Sequence, residues 1–113
     1  MSEKPLSWLG SSRDDLRAFP DDARQHIGHE IHRLQVGLWP TNCSPLKVVG
    51  AGVYEIRVSD DGRAFRTIFV AKFEEAIYIL HAFEKKTQQT PRSEIELAKQ
   101  RYKLMKEARP VAV

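Results

Sequence analysis

The sequence predicts an α+β protein in which N-terminal helices pack on a twisted antiparallel sheet of about four strands, with a further helix at the C-terminus. Three observations predict it. Apolar residues recur at helical spacing at Ala23, Ile27, Ile31, Leu34 and Leu38. Residues 53–58, 63–71 and 76–83 are then rich in Val, Ile, Phe and Tyr, and the stretches SDDG and KFEE between them suit consecutive hairpins. After Thr90 and Pro91 the helical spacing returns at Ile95, Ala98, Tyr102 and Met105 and lasts until Pro110.

In chain order, PLSWL at residues 5–9 is expected to be a short edge strand, and Ser12 to cap a brief helix over RDDLRA. Pro20 suits the first turn of the next helix. Asp21 and Asp22 complement that helix's positive end, and Pro40 lies beyond its stop, for a length of about 17 residues. TNCSP is expected to be a loop. A chain of 113 residues supports one core, so residues 1–113 are expected to form a single domain.

With 42% hydrophobic and 29% charged residues, the composition is that of a folded, water-exposed chain and not of a disordered or fibrous one. No apolar stretch approaches the roughly 18 residues of a membrane span, and MSEKPLSWLG lacks the basic region and apolar run of a signal peptide. The expected location is the cytoplasm, with no membrane partner. The single cysteine, Cys43, has no second cysteine for a disulfide and is expected to be an inert loop residue.

The net charge of +3 is unevenly spread. Residues 1–44 hold 5 Lys/Arg against 6 Asp/Glu, whereas residues 45–113 hold 13 against 9, so positive potential belongs to the second part, where a polyanion or an acidic partner is favoured. Strand pairing sharpens this. With a four-residue turn at SDDG, Glu55 faces Arg66; with a two-residue turn at Asp61-Gly62, Arg57 faces Arg66; either even-length turn puts both arginines on one side. A loop over residues 72–75 then sets His81 opposite Arg66 and Phe83 opposite Ala64, with Lys85 on the same face. The other face, Tyr54, Ile56, Val58, Phe65, Phe69, Tyr78 and Leu80, is where the helices are expected to pack. Two guanidiniums, an imidazole, the ammonium groups of Lys85 and Lys86 and an exposed Phe83 make a plausible RNA-handling surface. A solvated Glu55–Arg66 surface pair is the plainer alternative.

The order WLGSSRDDLRAFP, PLKVVGAGVYEIRV, AFRTIFV and AIYILHAFEKKTQQTPRSEIELAKQR resembles the phage-derived, HigB-like branch of the RelE/HigB toxin superfamily, from about Leu6 to Tyr102. YEIR and LHAFEKKTQQTP are its most specific pieces. The resemblance implies a RelE-like fold and the toxin half of a bacterial toxin–antitoxin pair. It further implies an endoribonuclease that enters the decoding site of the ribosome, at the 16S rRNA, and cuts messenger RNA without a metal or other cofactor. The implied partner is a helix-turn-helix antitoxin that silences the toxin and is its only link to operator DNA. By position, the family's basic residues fall on Lys47, Arg57, Arg66 and Lys85 or Lys86, with His81 a weaker candidate.

Cleavage by a neighbouring 2′-hydroxyl needs its proton removed, extra charge on phosphorus stabilised and the leaving 5′-oxygen protonated. Arg57 and Arg66 suit the phosphorane, Lys47 and Lys86 the flanking phosphates, and Phe83 a base stack or a place in the core. Lys85 and His81 are level as general base. A ParE-like toxin that inhibits DNA gyrase is the rival function, and a degenerate phage-derived protein that retains only antitoxin binding is a second rival. His26, His29 and His32 spread around a helix without an HExxH pattern and are expected to be a solvated face, not a metal site.

Overall fold

The computed structural model describes residues 3–109, so Met1, Ser2 and residues 110–113, including the expected helix stop at Pro110, lie outside the described residues. The order is β1 (Leu6–Trp8), α1 (Ser12–Arg17), α2 (Asp21–Gln35), β2 (Cys43–Pro45), β3 (Val53–Asp60), β4 (Arg63–Val70), β5 (Ile77–Lys85) and α3 (Arg92–Ala108).

The fold is α+β, but the sheet has five strands in the order β1-β5-β4-β3-β2 and is mixed, since β1 runs parallel to β5. The extra strand is β2, in the stretch expected to be a loop. Three residues carry little propensity of their own, but Cys43, Ser44 and Pro45 pair with Ile56, Glu55 and Tyr54 at the edge. Arg57 extends that pairing by donating its backbone N–H to the Asn42 carbonyl at 2.9 Å.

Local chemistry explains the helix ends. Ser12 does not cap α1. It is fully buried as the helix's first residue and donates its hydroxyl to the Ile79 carbonyl at 3.1 Å, tying α1 to β5. Helix α2 stops earlier than Pro40 requires, because Gly37 takes φ +85°. Gly37 N–H then reaches Leu34 O, and Leu38 N–H reaches Arg33 O, the double closure of a Schellman motif. Leu38 therefore leaves the apolar face of α2 and is half exposed.

Asp61 and Gly62 both have positive φ, 50° and 75°, so the β3–β4 connection is a two-residue turn of the primed type that suits the strand twist. Of the two predicted registers this selects the one in which Arg57 faces Arg66. The β4–β5 pairing contains a register shift between Ile68 and Phe69: Ile68 faces His81 whereas Phe69 faces Ile79, leaving Leu80 as an extra residue.

The bulge redistributes the core. Helices α1 and α2 cover Ile56, Val58, Phe65, Phe69, Ile77, Ile79 and Ala82 on one face. On the other, α3 lies over Val53, Ile68, Val70, Tyr78, Leu80 and Phe83. Tyr78 and Leu80, expected under the N-terminal helices, have exchanged places with Ile77 and Ile79. The face expected to stay open is instead covered along β5. At Phe83 it is only 6% exposed, at His81 4% and at Arg66 7%.

Candidate functional site

The α3-covered face carries three successive cross-strand rows near the Asp61-Gly62 turn: Glu55–Ile68–His81, Arg57–Arg66–Phe83, and Ser59–Ala64–Lys85. Opposed residues on one face have Cβ atoms about 4.5–5.5 Å apart, so the two guanidinium stems are held side by side by the sheet. Arg57 is exposed. Arg66 is buried along its length and donates Nη1–H to the Phe65 carbonyl at 3.1 Å. Among the described residues neither arginine has a carboxylate at ion-pair distance.

The electrostatics follow from that placement. Burial lowers the Arg66 guanidinium below its ordinary pKa, the Glu55 carboxylate opposes the lowering, and Arg57 adds to it. Glu55 is itself half-buried, and its Oε2 is a buried acceptor with no hydrogen-bond partner among the described residues. Lys85 is half-exposed one row nearer the turn, and Lys86 is exposed where the chain leaves the sheet. The remaining basic residue, Lys47, is exposed in the loop that precedes β3, at the end of the sheet away from that turn. Lys47 does not converge with the others.

The positions of His81 and Phe83 correct the expectation of an open aromatic and imidazole surface. Their rings stack on each other, with centroids 5.0 Å apart and planes at 22°. Both are buried under α3. His81 Nδ1 lies 3.3 Å from Arg101 Nη1, and since a guanidinium only donates, the imidazole accepts there. Its other nitrogen, Nε2, is 3.4 Å from Glu94 Oε1 but makes no hydrogen bond. Burial holds the His81 pKa below its usual value despite the pull of Glu94, so the ring is neutral with its proton on Nε2.

Arg101 is the residue that sequence reading missed. It sits on α3 among lysines and arginines that look like a solvated face, yet it is 8% exposed. Its guanidinium donates to the Leu80 carbonyl at 3.0 Å and to Ser11 Oγ at 3.0 Å, so it satisfies the carbonyl at the bulge and links α3 to α1. Gly10, at φ +54°, makes room for it: a Cβ there would stand 2.6 Å from Arg101 Nε. The available signal was the three-residue step from Ala98 to Arg101, which puts both on one helix face. The discounted histidines His26, His29 and His32 are all exposed, and among the described residues no group of His, Cys, Asp or Glu could hold a metal.

This arrangement can grip an anion with Arg57, Arg66 and Lys85 beside an uncompensated carboxylate at Glu55. A comparison with known families bears on its meaning. The family model described as phage derived protein Gp49-like (DUF891) matches residues 14–103. The chain belongs to the Gp49-like family. This is a toxin-like family of the RelE/Gp49 type, and it points to the toxin of a toxin–antitoxin pair. None of the curated proteins matches this Gp49-like chain. The matched segment runs from within α1 through strands β2 to β5 to the Tyr102 turn of α3, and so includes every residue of the three rows. Among the described residues, no helix of the Gp49-like chain is long and apolar enough to cross a membrane.

Proposed function

We propose that this protein has a RelE-like fold and is the toxin of a bacterial toxin–antitoxin pair, of the HigB-like kind, that cleaves messenger RNA on the ribosome without a metal. The observation that carries the reading is the direct pairing of Arg57 with Arg66 without an ion-paired carboxylate among the described residues. Like charges placed opposite each other destabilise a sheet. A phosphate, and still more a pentacoordinate phosphorane, removes that penalty because two guanidiniums match its equatorial oxygens.

In the proposed reaction the 2′-oxygen of the substrate attacks the adjacent phosphorus in line with the departing 5′-oxygen. The 2′-hydroxyl proton goes to a base, the O5′–P bond breaks, and the leaving oxygen takes up a proton. Arg57 and Arg66 hold the non-bridging oxygens as charge builds. Lys85, half-exposed in the next row, is better placed for proton transfer than His81, whose Nδ1 already accepts from Arg101. Lys86 and the more distant Lys47 bind flanking phosphates. Phe83, being buried, supports Arg66 from the neighbouring strand instead of stacking a base. The messenger RNA at the 16S rRNA decoding site is the substrate, and a helix-turn-helix antitoxin is the partner that silences the protein and alone reaches operator DNA.

The test is to express the wild type, Arg57→Ala and Arg66→Ala in cells, scoring growth arrest and mapping message ends. Each variant is expected to lose cleavage by about 10²–10³-fold, the loss typical of one preorganised donor to a developing oxyanion. Full cleavage by both variants overturns the proposal. Growth arrest with intact messages and broken chromosomes points instead to a ParE-like action on DNA gyrase.

A further inference from the structure

The structure assigns a second site, on the outer edge of β5, to a cationic side chain of a protein partner. β1 ends at Trp8, opposite Ile79, so among the described residues no strand lies beside residues 80–85 of β5 on that side. There a cleft of about 380 Å³ opens between α1, β5 and the first turn of α3. Its charged lining is Asp15, Arg63, Glu84 and Glu94, with His81, Ala82 and Phe83 at the back. This inference goes beyond the RNA-cleavage proposal and does not rest on it, because Arg57 stands two strands away on β3.

Charge decides the class of occupant. Arg63 is engaged with both oxygens of Glu84, at 2.9 and 2.7 Å, so that pair cancels. Among the described residues Asp15 and Glu94 are left as carboxylates without a cation at ion-pair distance, the only basic group within that distance of Glu94 being the neutral His81 imidazole. Asp15 accepts only from Ser11 Oγ, at 2.7 Å, and Arg101 lies behind the imidazole, not in the cleft lining. Such a lining repels phosphate and attracts a guanidinium or ammonium.

The back wall supplies the second observation. His81 is nine-tenths buried with its proton on Nε2, and among the described residues the acceptor in front of that nitrogen is Glu94 Oε1, at a long 3.4 Å. That long contact leaves the Glu94 carboxylate with capacity to accept a stronger, charged donor from the cleft. An arginine or lysine side chain reaching Asp15 and Glu94 supplies the cation this lining lacks, while Glu94 keeps its place in front of His81 Nε2. An extended segment carrying that residue can lie along the open β5 edge, as added strands do. The occupant is therefore a basic, extended segment of a protein partner.

The experiment titrates isotope-labelled full-length protein with the blocked tripeptide Ac-Gly-Arg-Gly-NH₂, with the same peptide carrying citrulline, and with guanosine monophosphate, following backbone amide shifts. The arginine peptide is expected to shift Asp15, Ala82, Phe83 and Glu94, and the uncharged citrulline peptide to bind at least about tenfold more weakly. Asp15→Asn and the near-isosteric Glu94→Gln should each weaken the arginine peptide while leaving the rest of the spectrum in place. Equal binding of the citrulline peptide, or shifts confined to other surfaces, overturns the assignment. So does tighter binding of guanosine monophosphate in this cleft, which would make it a pocket for an RNA base.

Discussion

The two ends of the α3-covered face treat charge in opposite ways. At the end where β5 begins, Arg109 donates to both oxygens of Glu75, at 2.7 and 3.3 Å, and its guanidinium lies 3.3 Å over the Phe73 ring. Tyr78 donates to the same carboxylate at 2.8 Å, and the Arg109 and Tyr78 hydrogen bonds hold the Glu75 pKa down at about 2. At the other end Arg57 faces Arg66 across the ladder, and the nearby carboxylate, Glu55, keeps an unbonded oxygen. One end has closed its electrostatics internally and fastens the C-terminal helix. The other has left them open, and open charge is what a polyanionic substrate can complete.

The largest effect should come from removing a guanidinium at the open end. Arg66→Ala is expected to cost message cleavage about 10²–10³-fold, measured by mapping 5′ ends on polysomal RNA, whereas Arg109→Ala should leave cleavage unchanged. Loss of cleavage in both to the same degree would erase the contrast. Next in size is Arg101→Met, which strands the Leu80 carbonyl and the His81 imidazole. Denaturant unfolding should show a loss of about 2–3 kcal/mol, on the scale of buried polar partners left unsatisfied. A smaller effect of opposite sign is expected for Arg57→Gln. Relief of the like-charge pair should stabilise the free protein by about 0.5 kcal/mol in the same assay while cleavage falls.

The two ends also separate by pH. His81 has a folded pKa below its unfolded value of about 6.5, so the unfolded chain binds its proton more readily. Its stabilising contribution is present above that pH and declines as pH falls through the folded pKa, with Glu94, Arg101 and Asp15 the charged groups that set it. Glu75 acts later, because its contribution survives until pH falls from its ordinary 4.5 toward about 2. Thermal melts of wild type and His81→Gln should therefore diverge above pH 6.5 and converge on acidification. Glu75→Gln should lose its difference from wild type only in the more acidic range. The reverse order of the two windows would contradict the assignment of open and closed ends.

Much of the architecture was legible because periodicity and turn chemistry are local. The Asp61-Gly62 turn, the helix over residues 21–35 and the helix after Pro91 each follow from a few adjacent residues. What escaped was set by distant partners. β2 pairs with the otherwise free edge of β3, and the carbonyl of the bulged Leu80 is satisfied by the Arg101 guanidinium arriving from α3. The site was half legible for the same reason. Arg57 and Arg66 share a face under any even-length turn, so their proximity was fixed locally. Whether His81 and Phe83 faced water depended on where the last helix would lie, and an arginine in a run of basic residues gave little hint that it was a buried anchor.

The extra residue at Leu80 makes β5 a strand with two reading frames. Odd-numbered side chains before it point toward the N-terminal helices, and odd-numbered ones after it point toward the C-terminal helix. Because Leu80 is spare in the ladder, deleting it would let Ile79 and His81 follow one another in regular alternation and keep the far half facing as it does. Deleting a residue that is paired, such as Ala82, would instead turn the residues beyond it over and bring Glu84 to the face that Lys85 now occupies. The single position between Ile79 and His81 is thus where β5 can lose a residue without reversing its faces, at the expense of the Leu80 packing and of the carbonyl that Arg101 holds.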